Sequence, residues 1–283
     1  MKKYLGFAKR LLVLATPVIA SSLVATTPAR AATFALSEAQ FVLSNFSINP
    51  EDVLVDTETF SNAISFSGQP GASADANAEA LFFPIEGDPK KSVAFNLSES
   101  IAIGSRTDDF AIAESTATIA GFSFLVPKGG TFSFDFDGLL NLATFIHNSS
   151  LGSAVADGII ALTIFEENSD TLLDFIFVDG QIATSGGEDF LTLSNSDNFF
   201  FTRQSLTKLF GGNEEFAQAD LAGRYSRTFA EPTRLRLEEV KFNRALVKVP
   251  DNTNGLILMI AGGMMFVLTK TRVFKFLISA NRD

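Results

Sequence analysis

The sequence predicts an all-β protein, an antiparallel β-sandwich or jelly roll, flanked by a cleaved N-terminal signal peptide and a C-terminal transmembrane helix. Three observations lead there. Apolar and polar residues alternate with a period of two along the middle of the chain. Turn-forming residues interrupt that alternation at short intervals, and an uncharged apolar run with basic neighbours stands at each end. The implied boundaries are a signal at 1–31, a β-sandwich domain at 32–248 and a sorting or anchor segment at 249–283.

At the N-terminus, residues 1–10 are basic through Lys2, Lys3, Lys9 and Arg10, and residues 11–25 are apolar, broken at Pro17. A polar run then leads into Ala29-Arg30-Ala31, which puts small residues at the −3 and −1 positions of a cut before Ala32. Basic, apolar and small-residue zones in that order are what the Sec translocon and signal peptidase read. The apolar run is short for an uncleaved membrane span.

In the middle, Val93, Phe95 and Leu97 alternate with Ala94 and Asn96, and Phe132, Phe134 and Phe136 alternate with Ser133 and Asp135. Phe122, Phe124 and Val126 precede Pro127-Lys128-Gly129-Gly130, which reads as a hairpin turn into 132–136. A second hairpin runs over 159–165, turns at 166–170, and returns over 172–178 to Asp179-Gly180. Further strands are expected at 34–48, 60–66, 77–83, 101–103, 112–119, 190–193, 199–202, 225–230 and 235–247. The alternation changes phase between Leu237 and Val240, which suggests a bulge. Residues 71–80, rich in Ala, and 148–156, rich in Ser, Ala and Gly, read as weak strands or exposed loops. Helix is expected at 203–210, where Leu206, Leu209 and Phe210 have helical spacing ahead of Gly211-Gly212, with a short helical turn at 213–221.

At the C-terminus, Val249-Pro250-Asp251-Asn252 closes the domain. An uncharged run at 255–268 follows, then Lys270, Arg272 and Lys275. The run is short for a span of about 20 residues. Snorkelling basic side chains and the apolar stretch at 273–278 extend it. The basic end stays cytoplasmic by the positive-inside rule, leaving the domain outside. A Val-Pro-acidic turn, a short segment rich in Gly, Leu and Met, and a basic cluster resemble the PEP-CTERM sorting signal. Pro250-Asp251-Asn252 stands where that family has Pro-Glu-Pro. The resemblance covers residues 249–275. It implies export, processing by an exosortase, a membrane-anchored intermediate, and association with exopolysaccharide or biofilm matrix, in proteins found in cyanobacteria and proteobacteria.

Composition removes several kinds of chemistry. With no Cys there is neither a disulfide nor a thiolate nucleophile, and the lone His147 rules out a site built from several imidazoles. The chain has 30 Phe, 2 Tyr and no Trp. Phe fills cores without a polar handle, so most of it is expected inside and an aromatic sugar-stacking cleft is not expected. Residues 32–250 carry 13 basic and 30 acidic side chains, a net charge of −17. Such a surface repels nucleic acid. The charge is uneven: 24 acids and 4 bases over 32–202, against 6 acids and 9 bases over 203–250.

Candidate chemical residues are few. Asp135 and Asp137 project from one strand face about 7 Å apart, a spacing that suits Ca²⁺ or a carboxylate pair, or a solvated face ending in a turn at Gly138. Asp108-Asp109, Glu166-Glu167 with Asp170, and Glu188-Asp189 flank turns, where acidic loops bind Ca²⁺ or simply face water. His147 has no Gly-x-Ser-x-Gly elbow to serve. Arg224, Arg227, Arg234 and Arg236 form a basic stripe that either contacts acidic polysaccharide or headgroups, or pairs with acids such as Glu231, Glu238 and Glu239. The expected function is an exported, non-enzymatic surface or matrix protein without a resident cofactor. The alternatives are a Ca²⁺-dependent carbohydrate-binding module and a secreted hydrolase with a carboxylate pair.

Overall fold

The computed structural model describes residues 33–249, apart from 67–70, 107, 148–151 and 185–188. Ala29, Ala31 and Ala32 of the signal, and Pro250, Asp251, Lys270, Arg272 and Lys275 of the tail, lie outside the described residues. Among the described residues no helix is long and apolar enough to cross a membrane.

Among the described residues twelve strands make two six-stranded antiparallel sheets, as a sandwich requires. In chain order they are β1 (Thr33–Ser44), β2 (Asp52–Ser65), β3 (Ala72–Phe83), β4 (Val93–Gly104), β5 (Asp109–Val126) and β6 (Thr131–Ile146), then β7 (Ser153–Glu166), β8 (Thr171–Ala183), β9 (Phe190–Asn195), β10 (Phe199–Leu209), β11 (Glu214–Thr228) and β12 (Thr233–Val249). One sheet has the order β10-β11-β6-β1-β4-β3 and the other β2-β5-β12-β7-β8-β9. Only β3–β4, β7–β8, β8–β9 and β10–β11 are consecutive neighbours, so the chain otherwise passes from sheet to sheet. The hairpin at 159–178 is present as β7–β8.

Several expectations are corrected. The segment at 127–130 is no hairpin, because β5 and β6 lie in different sheets. Gly129 N donates to Phe229 O at 2.9 Å and Phe229 N to Gly130 O at 3.0 Å, which draws the turn to the end of β11. The pairs 93–97 and 101–103, and 112–119 and 122–126, are each one long strand, β4 and β5. The Ala-rich 71–80 is the body of β3. No helix forms at 203–210 or 213–221, which belong to β10 and β11 and join through Gly211 and Gly212 at φ +85° and +109°. β10 is an edge strand exposed on both faces, so nothing imposed a period of two on its sequence. Pairing with the strongly alternating β11 overrides its helical spacing. The bulge lies in β5 rather than β12: Phe122 and Ser123 together oppose the single Arg236, with Ser123 at φ +55°.

The interior changes character across the sandwich. β2 faces β3, β4 faces β5, β1 faces β12 and β6 faces β7, and the sheets are closest on the β2–β5 side. Inward positions there are small. β3 contributes Ala72, Ala74, Ala76, Ala78 and Ala80, β4 contributes Ala94, Ser98, Ser100 and Ala102, and β5 contributes Ala111, Ala113, Ser115 and Ala117. Elsewhere the interior is aromatic. Phe46 lies 5.5 Å from Phe82 and 5.6 Å from Phe134, Phe124 lies 4.8 Å from Phe132, and Tyr225 lies 5.1 Å from Phe134 and 4.9 Å from Phe199. Each buried ring contributes roughly 2–3 kcal/mol by area, and each well-placed ring pair about 1 kcal/mol more. Phe41 needs a special seat. Gly138, directly opposite it on β6, supplies that seat, since a Cβ there would lie 2.5 Å from Phe41 Cε2. Gly138 therefore sits inside a strand and not in a turn.

Phe is less confined to the core than composition suggested. Among the described residues ten phenylalanines are buried, but Phe60, Phe66, Phe83 and Phe200 are exposed, and others such as Phe95, Phe177 and Phe242 are half-buried on outward sheet faces.

Candidate functional site

The burial alternation of β12 runs unbroken from Leu235 to Val249. Its apparent phase change in sequence has another origin: the inward positions Glu239, Lys241 and Asn243 are polar, while Val240 and Phe242 face outward. Glu239 is 1% exposed and Lys241 and Asn243 are 0% exposed. Lys241 Nζ donates to Glu239 Oε1 at 2.7 Å. Across the interior, Asn96 on β4 donates its amide to the other oxygen, Glu239 Oε2, and to Ala117 O at 3.1 Å. Lys241 Nζ also lies 5.7 Å from the centre of the Phe41 ring. One buried carboxylate thus holds an amine from its own strand and an amide from the opposite sheet.

The surroundings of this triad are apolar. Glu239 and Lys241 pair along the sheet with Ile119, Leu162, Ala117 and Ile160. Burial pushes the Glu239 carboxyl up, against the pull of Lys241, and pushes the Lys241 ammonium down to about 8, against the pull of Glu239. Asn96 Oδ1 meets no hydrogen-bond donor among the described residues.

A belt of hydroxyls adjoins the triad on the narrow side. Ser115 Oγ bonds Ser98 Oγ at 2.8 Å and Ser100 Oγ at 2.9 Å, Ser100 Oγ donates to Asn243 O at 3.1 Å, and Ser37 Oγ donates to Asp157 O at 2.7 Å. With its nitrogen turned to donate to Ser98 Oγ at 2.9 Å and its oxygen accepting from Glu38 N at 3.3 Å, the Asn243 amide satisfies both ends. Buried polar groups are tolerated because almost every one finds a partner.

The residues singled out from sequence fall elsewhere. Asp135 and Asp137 do share the outer face of β6, but each has its own partners. Asp135 accepts from Asn45 at 2.8 Å and lies 3.5 Å from Arg224, while Asp137 lies 3.0 Å from Arg203, which also binds Asp220. Asp109 accepts Ser105 N and Arg106 N at 2.9 Å each, Glu167 accepts Ser123 N at 2.8 Å, and Asp189 accepts Ala183 N at 2.9 Å. Asp109 and Asp189 brace their own loops, and Glu167 holds the bulge of β5. His147 is exposed after β6. Val249 is the last residue of β12 and is buried, with its carbonyl accepting from Asp108 N at 2.7 Å.

The basic stripe divides between two sheets, because Arg224 and Arg227 lie on β11 and Arg234 and Arg236 on β12. All four pair, though mostly with other acids than expected. Arg227 binds Asp174 at 2.8 Å, Arg234 lies 3.9 Å from Glu51, and Arg236 binds Asp170 at 2.8 Å and lies beside Glu238. The basic residues of 203–250 thus meet acids from the earlier chain: Asp135 and Asp137 on β6, Asp174 on β8, and Glu51 and Asp170 in loops. Asp174, 1% exposed, also accepts Tyr225 Oη at 2.8 Å, and burial with Asp174 beside it drives the Tyr225 hydroxyl far up.

Two groupings had no local sequence signal. The Glu239, Lys241 and Asn96 triad needs the sheet stacking to bring it together. Glu38 and Glu99 stand opposite each other on the outer face of β1 and β4, and both carboxyls are raised, chiefly by burial. Among the described residues no group of three or more acidic or His side chains converges to hold a metal ion.

The fold and interior define an antiparallel two-sheet sandwich whose polar centre is sealed between its sheets. The chain matches no protein-family model, no curated protein and no solved structure.

Proposed function

We propose that this chain is an exported, non-enzymatic surface or extracellular-matrix protein, carried out by its N-terminal signal and held for a time by its PEP-CTERM-like tail, with exopolysaccharide as its setting. The observation that carries the reading is the pairing of two apolar, basically flanked ends with an acidic body of net charge −17 between them. The committed state of the body's acids supports it: Asp135, Asp137, Asp109 and Glu167 each hold an arginine, an amide or a loop N–H. Exposed Phe60, Phe66, Phe83 and Phe200 suit a protein that works by association.

Fractionation of producing cells, with the mass of both termini determined, tests the proposal. The expected result is an N-terminus at Ala32 and a body outside the cytoplasm, released with the tail cut near Pro250; an intact tail held in the inner membrane would rule out the sorting cleavage. A soluble cytosolic chain beginning at Met1 would overturn it.

A further inference from the structure

We propose that the chain joins its own two sheets covalently, by an isopeptide bond between Lys241 Nζ and Asn96 Cγ that forms after folding with Glu239 as proton relay. The bond would cross the interior from β12 to β4. It would supply, in a chain without Cys, the covalent brace that a disulfide cannot.

Three features of the geometry favour the step. Lys241 and Asn96 are held by opposite oxygens of one carboxylate, Oε1 taking the amine at 2.7 Å and Oε2 the amide. Both reactants are thereby tethered to one carboxylate, which lowers the entropy cost of bringing them together. Asn96 Nδ2 is fixed further by Ala117 O at 3.1 Å. Water is kept away, because Asn96, Glu239 and Lys241 are at most 1% exposed and Phe41 closes over the amine. A desolvated lysine loses its proton readily, and its neutral amine is the nucleophile.

The step balances without an outside reagent. The Nζ lone pair attacks Asn96 Cγ, and the proton displaced from Nζ passes to Glu239 Oε1. A proton from the same carboxyl group reaches Nδ2 through Oε2, the Cγ–Nδ2 bond breaks, and ammonia leaves. An amine and a primary amide become a secondary amide and ammonia, and Glu239 returns to its starting state. Its two oxygens already touch the atom that gives the proton and the atom that takes it. The inference is independent of the export proposal, since the reaction needs only the folded interior.

Peptide mass spectrometry of the purified full-length or naturally processed chain, folded and then digested with trypsin, tests it directly. Peptides 92–106 and 237–244 are expected as one joined species, lighter than their sum by the mass of ammonia, about 17 Da, and uncut at Lys241. Recovery of 92–106 and 237–241 as separate peptides, cut at Lys241, from the folded wild-type chain would overturn the proposal, as would Asn96 found merely deamidated. Glu239→Gln, which keeps the shape of the side chain, is expected to return 92–106 and 237–241 as separate peptides, cut at Lys241. A joined species in that variant would overturn the relay role of Glu239. Because the wild-type chain carries the decisive readout, poor folding of the variant leaves the test intact.

Discussion

The two sides of this sandwich solve the same packing problem in opposite ways. On the β2–β5 side the sheets approach closely over Ala and Ser, and the hydroxyls of Ser98, Ser100 and Ser115 satisfy one another. On the β6–β11 side the gap is filled by Phe132, Phe134, Phe136, Phe199 and Tyr225. Side-chain size sets the spacing on each side, and the triad of Asn96, Glu239 and Lys241 stands where β4, β1 and β12 bring the two regimes together. The aromatic side holds by burial that no single bond supplies. The small-residue side has little apolar area to bury, so a specific link across it matters more.

Substitutions can break that contrast, and the largest effect is expected at the link. Asn96→Leu removes the amide carbon while roughly keeping volume. A bond closing a loop of about 145 residues is worth about 5 kcal/mol through the unfolded chain. Urea unfolding should show that loss in the variant, together with separate peptides by mass. Next comes the aromatic side. Phe134→Ala should cost about 4 kcal/mol in the same measurement, through lost burial and the cavity left among Phe46, Phe132 and Tyr225.

Titration sharpens the comparison. In Asn96→Leu, Lys241 stays an amine with its proton affinity lowered by burial to about 8, against 10.5 unfolded. Between those values the unfolded chain holds the proton and the folded chain does not, so stability should rise with pH across the window, by roughly 3 kcal/mol. The joined wild-type chain, lacking that amine, should show no such rise. Gly138→Ala is expected to cost about 2 kcal/mol, since the new methyl meets the Phe41 ring. The smallest effect belongs to the outer face: Arg224→Ala leaves Asp135 half-exposed with Asn45 still bound, and thermal unfolding should register less than about 1 kcal/mol.

Strand content was legible in the sequence because a period of two survives wherever one face is more polar than the other. Which face is buried was not. On β4 the apolar Val93, Phe95 and Leu97 point outward, half-buried, while Ala94, Asn96 and Ser98 line the interior. On β12 the same inversion, with Glu239 and Lys241 inside, looked like a bulge. Sequence patterns rank residues by polarity, whereas the narrow side selects them by size and by hydrogen-bond partners on the facing sheet. Asn96 and Lys241 come together only through sheet stacking, which no local pattern encodes. β10 misled for the converse reason: an edge strand exposed on both faces has no alternation to read.

The most direct test of a covalently linked interior is one cut. The denatured chain, nicked once by a lysine-specific protease at Lys128 or Lys208, is run on a denaturing gel. With Asn96 bonded to Lys241 the two pieces travel together, although the chain has no Cys to join them. Two separate fragments from folded, then denatured, wild-type protein would contradict the account.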